Sequence, residues 1–268
     1  MRYLLLGAGL FLIGACTSID PTASPDTLYD DAMAAYEAGH PIDTYRLLHA
    51  ASEAGSFDAD FALAEFYATG ALPHQHPAGY HKTSVPADRI IAFNSFWGGW
   101  NQDAERATHY QEQGTERVHA LVAEGNHRAM TRLGVSLLYS PSPNPYGLDT
   151  PQDLARGHQL LADASAAGHA KASFSLWISS EMLGLDDSER LKYIARAEAQ
   201  GHPHTFHLHV IELRQHDPLG ALHHLDQRAQ AGHAEAADLL ANMLQSMRDV
   251  VDVHPEAAQA IAAWDARG

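Results

Sequence analysis

The chain has 268 residues, 46% of them hydrophobic, with 33 acidic against 17 basic side chains and a formal net charge of −16. So acidic a sequence, without a basic patch, repels phosphate backbones, and nucleic acid is excluded as a partner. Cysteine occurs once, at Cys16, which excludes an intrachain disulfide framework.

The first element in chain order is an export signal. Arg2 supplies a short positive region, and Leu4 to Ile13 is an apolar run too short to span a bilayer. Gly14 and Ala15 precede Cys16, so that "IGAC" resembles the lipobox of bacterial lipoproteins. The resemblance implies that residues 1–15 are a signal peptide and that Cys16 becomes the first, acylated residue, carrying chains such as palmitate. Thr17 follows where that pattern uses Asp for inner-membrane retention, which implies the outer membrane, facing the periplasm. Residues 16–27 are rich in Pro, Ser and Thr and read as an extended tether, with a reach of roughly 35 Å from the lipid.

From Leu28 onward the pattern is helical. Ala and Leu recur at three- and four-residue spacings in "LYDDAMAAYEAG", "LARGHQLLADASAAG", "RLKYIARAEAQG" and "AADLLANMLQSM". Helix starts are expected at Thr150, with Pro151 in the first turn, at Asp186 with Glu189 three residues on, and at Asp217–Pro218. Gly39, Gly55, Gly125, Gly168, Gly201 and Gly232 follow Ala-rich segments, where a left-handed C-terminal cap belongs.

Those glycines define a repeat. Four residues beyond five of them stand Ala59, Ala129, Ala172, Thr205 and Ala236; eight beyond stand Leu63, Leu133, Leu176, His209 and Leu240. A small residue lets two helices approach, and leucine one turn later fills the space behind it. Gly125, Gly168, Gly201 and Gly232 lie 43, 33 and 31 residues apart, the period of stacked helical units that cannot bury their apolar faces alone.

"ASAAGHAKASFSLW", "RAQAGHAEAADLLA" and "YGLDTPQDLARGHQLLADASAAGH" resemble the Sel-one-like repeat, a relative of the tetratricopeptide repeat, over roughly Asp43 to Gln245. The resemblance implies an all-α fold, a right-handed superhelical solenoid of about five to six antiparallel helix pairs over residues 28–268, interrupted by an insertion at 70–102. It also implies an adaptor role in membrane-associated or envelope assemblies.

The histidine-rich stretch "GHPHTFHLH", Gly201 to His209, reads as a worn unit of this repeat. His202 follows the junction glycine as His40, His169 and His233 do. The unit is expected to be shifted by one residue around Pro203, with Phe206, Val210 and Leu213 on the core face. Neither HExxH nor a familiar cysteine spacing is present, and no metal or other cofactor is expected. The alternative is a cluster of His209, His223 and His224, which fall at similar depth on two helices either side of the Asp217 turn.

No P-loop, GxSxG or GxGxxG motif occurs, and no catalytic residue and no enzymatic activity are expected. The insertions at 70–102 and 140–149 should emerge on one edge of the repeat array, and they carry Tyr80, Trp97, Trp100 and Tyr146 as candidate partner-binding anchors. The competing reading folds Ile90 to Trp97 into an amphipathic helix whose aromatics fill the gap between diverged repeats. The expected function is a lipid-anchored envelope adaptor that binds protein partners. The alternative is a periplasmic ligand-binding or enzyme module handling glycan or metal.

Overall fold

The computed structural model describes residues 19–70, 102–139, 151–203, 205–249 and 255–266, and all thirteen elements among them are helices. They fall into two compact units, one up to Ala120 and one from Leu121 onward.

In the first unit, α1 (Pro25–Glu37), α2 (Pro41–Glu53) and α3 (Phe57–Thr69) pack in succession. α4 (Ala104–Ala123) belongs to this unit up to Ala120. The core takes Leu28, Tyr29 and Ala32 from α1, Leu47, Leu48 and Ala51 from α2, and Ala59, Leu63 and Phe66 from α3. α3 is buried on nearly every side, including Asp58 and Asp60.

The helical body starts earlier than the sequence pattern suggests. Ser24 caps α1 by accepting the Thr27 N–H, and Pro25, whose fixed φ suits a first turn, opens the helix. Ahead of it, Ala23 closes a turn onto the Asp20 carbonyl, and Ile19 and Ala23 pack against the core. Residues 19–27, given to an extended tether above, are therefore folded onto the body.

The second unit contains α5 (His127–Tyr139), α6 (Leu154–Ala166), α7 (Ala170–Ile178), the single turn α8 (Ser180–Leu183), α9 (Asp187–Ala199), α10 (Thr205–His216), α11 (Pro218–Gln230), α12 (Ala234–Asp249) and α13 (Pro255–Asp265). Each long helix packs on the next: α5 on α6, α6 on α7, α7 on α9, and so on to α12, while α13 rests on α11 and α12. α5 and α6 meet through glycines. A Cβ on Gly157 would stand 2.9 Å from the Gly134 carbonyl oxygen, and one on Gly134 would stand 3.0 Å from that of Gly157.

Six junctions close in the same way. Gly39, Gly55, Gly125, Gly168, Gly201 and Gly232 all have positive φ. The residue after each (His40, Ser56, Asn126, His169, His202, His233) donates its N–H to the carbonyl five residues back. This is the Schellman closure, in which a left-handed residue turns the chain out of the helix while satisfying an orphan carbonyl. At Gly168, φ is +97°, a conformation an L side chain disfavours by about 1–2 kcal/mol. Beyond the glycines, Ala59, Ala129, Ala172, Thr205 and Ala236 are buried, as are Leu63, Leu133, Leu176 and His209, with Leu240 half-buried.

Two further expectations change. The helix placed after Thr150 begins at Leu154, because Asp153 is its cap and accepts the Arg156 N–H. The unit around Pro203 is not shifted. Thr205 and His209 stand in the buried positions that Ala and Leu hold elsewhere, and Val210 joins them, with Phe206 and Leu213 packed alongside. The caps at Asp186 and Asp217 form as expected, the first as a full capping box with Glu189.

Candidate functional site

The residue three places before a junction glycine is a recurring polar anchor. In the first unit it is Ser52, which donates to Asp60 Oδ1 at 2.6 Å. Gln113 Nε2 reaches both side chains, and Arg117 Nη1 reaches the Ser52 carbonyl and, at 2.7 Å, Asp60 Oδ2. Burial pushes the Asp60 carboxyl up, against the pull of these donors. In the second unit the anchor is Ser165, bonded to Ser173 at 2.7 Å and reached by Arg196 and Gln200. Both times a pair of side chains spaced i, i+4 on a later helix converges on the anchor, since that spacing puts them on one face.

Before Gly201 the same position holds Glu198, and the polar junction becomes a charged one. His209 Nδ1 on α10 bonds Glu198 Oε2 at 2.6 Å. His224 Nε2 on α11 lies 3.1 Å from the same oxygen, off its hydrogen-bonding direction. Arg228, one turn after His224, contacts Oε1 at 2.7 Å. The two imidazole centroids are 4.6 Å apart. Side-chain exposures of 7% for Glu198, 10% for His209 and 18% for His224 place the group away from bulk water. Burial opposes ionisation of Glu198, but the contacts of His209 and then His224 outweigh it, and the carboxyl is held well below the usual range.

Phe206 forms one wall, its ring centroid 5.8 Å from that of His224 and under the Arg228 guanidinium. One ligand atom from each of Glu198, His209 and His224 lies within 4.8 Å of the others, a spacing that suits a single metal ion. Of the three histidines suggested by sequence, two converge. His223, the neighbour of His224, faces elsewhere and stacks on Trp264 at 5.7 Å. Glu198 escaped the sequence reading, in which "RLKYIARAEAQG" shows only helical periodicity; the signal was an acid at a repeat position that Ser52 and Ser165 fill elsewhere.

A second polar cluster sits in the first unit. His49 is ringed by Tyr45, Tyr67 and Tyr110; the last two stack at 5.7 Å, and Arg106 lies over Tyr67. Tyr67 Oη bonds Tyr45 Oη, His49 Nε2 and Arg106. It is a satisfied network.

Cys16, Tyr80, Trp97, Trp100 and Tyr146 lie outside the described residues. Among the described residues no helix is long and apolar enough to cross a membrane. No protein-family model matches the chain, and no curated protein matches it.

Proposed function

We propose that the chain is a lipid-anchored adaptor of a bacterial cell envelope, tethered at Cys16 to the periplasmic face of the outer membrane and binding protein partners. Its body is a Sel-one-like solenoid of antiparallel helix pairs, and its loops carry the anchors. The observation that carries this reading is the sixfold recurrence of one junction, a left-handed glycine with the same N–H to carbonyl closure. Small residues four positions beyond five of these glycines are buried, as stacked helical units require. Such an array presents a long surface and needs no catalytic residue. A second reading, a periplasmic module that handles metal, is favoured by the Glu198, His209 and His224 group.

Capture of partners from envelope extract tests the adaptor reading. Wild-type chain is expected to retain a partner in stoichiometric amount. Trp100→Ala is expected to keep the helical signal and melting temperature while weakening capture by about 2 kcal/mol, the scale of an aromatic hot spot. An unfolded variant would place Trp100 in the core, and undiminished capture would move the interface elsewhere.

A further inference from the structure

We propose that Glu198, His209 and His224 bind one divalent transition-metal ion, with zinc the best fit to the ligand set. Two imidazoles and one carboxylate are a recognised three-ligand zinc set that leaves a fourth position for water or a further ligand. Here they come from three successive long helices, α9, α10 and α11, each packed on the next, so the donors are held by the fold. The outer groups also fit. Arg228 holds the free carboxylate oxygen of Glu198, as groups behind a metal ligand commonly do, and Phe206 closes one side.

The spacing has a specific consequence. Metal–ligand bonds of about 2.0–2.2 Å in tetrahedral geometry separate donor atoms by roughly 3.4 Å. His224 Nε2 and Glu198 Oε2, at 3.1 Å, are nearly there; His209 Nδ1, at 2.6 Å from the same oxygen, must open by under ~1 Å. Binding takes His209 Nδ1 and His224 Nε2 as unprotonated donors, so a proton on either atom moves to the other ring nitrogen or, from an imidazolium, leaves to solvent. His224 supports this exchange from its side. Its Nε2 is buried and aimed at Glu198 without a hydrogen bond of adequate geometry, a donor atom better used by an ion than by its present neighbours.

The test is direct addition of zinc, and separately of cobalt, to the metal-stripped full chain in detergent. One equivalent of zinc should bind and raise the melting temperature. Cobalt should develop the intense visible absorption of a four- or five-coordinate site. His224→Gln, which keeps a polar side chain beside Glu198, should weaken zinc at least about tenfold. His207→Ala, which removes an exposed histidine paired with Glu235, should leave the affinity unchanged. Equal binding by wild type and His224→Gln would assign the zinc to surface histidines and overturn the proposal. So would a weak, octahedral cobalt spectrum, a result read on wild type alone and independent of any variant's folding. Partner capture by the zinc-free chain reports separately on the adaptor reading.

Discussion

His49 is half-buried among Tyr45 on its own helix, Tyr67 on α3 and Tyr110 on α4. Burial lowers its pKa from 6.5; Glu53 opposes and Arg106 assists. A base with a lowered folded pKa is favoured neutral in the folded state. Its contribution to stability is therefore present above about pH 6.5 and is lost as pH falls through the lowered value. Denaturant unfolding of wild type and His49→Gln between pH 8 and pH 5 should show the difference between them shrinking on the acid side. A difference constant with pH would contradict the burial argument. Residue-scale features of this kind were only partly legible in sequence. Asp186 with Glu189, and Asp217 with Pro218, announce helix starts because the capping partners are local. Asp153 hid behind Thr150 and Pro151, which offer a plausible cap three residues early. Glu198 was illegible because its partners lie on two other helices, 11 and 26 residues away.

At the scale of elements, the junctions were legible and the crossings were not. A glycine after an Ala-rich segment marks a helix end by chemistry alone, and the structure bears out all six. The shift expected around Pro203 is absent because Thr and His both fit the buried repeat positions here. Thr205 is accommodated through its hydroxyl, which donates to the His202 carbonyl, and His209 through Glu198. The α5–α6 contact had no sequence signature, since Gly134 and Gly157 look like ordinary interruptions. Alanine is a better helix former than glycine by about 1 kcal/mol, so propensity alone predicts that Gly157→Ala stabilises. The approach of the Gly134 carbonyl reverses the sign: a new Cβ must push backbone away, at a cost of about 1–3 kcal/mol. Equilibrium unfolding of Gly157→Ala checks this, and a neutral or stabilised variant would mean that the two helices are not held that closely.

At the scale of the whole molecule, the helical character of the described residues was legible from periodicity, while the point at which the body begins was not. Pro, Ser and Thr in residues 17–27 resemble a linker, yet Ile19 and Ala23 supply apolar side chains to the first core and Asp20 and Ser24 supply local caps. On the proposed reading this shortens the tether. Only two residues, Thr17 and Ser18, separate Cys16 from Ile19, at most about 10 Å of extended chain, so the first unit is held close to the lipid surface. The central claim, that the chain works from a lipid anchor, is tested most directly by metabolic labelling with a fatty acid in a bacterial host, followed by membrane fractionation. The wild-type chain should carry label and sediment with membrane, and Cys16→Ser should lose both, since no described helix can hold it there. Label persisting on Cys16→Ser, or an unlabelled wild type in the soluble fraction, would contradict the account.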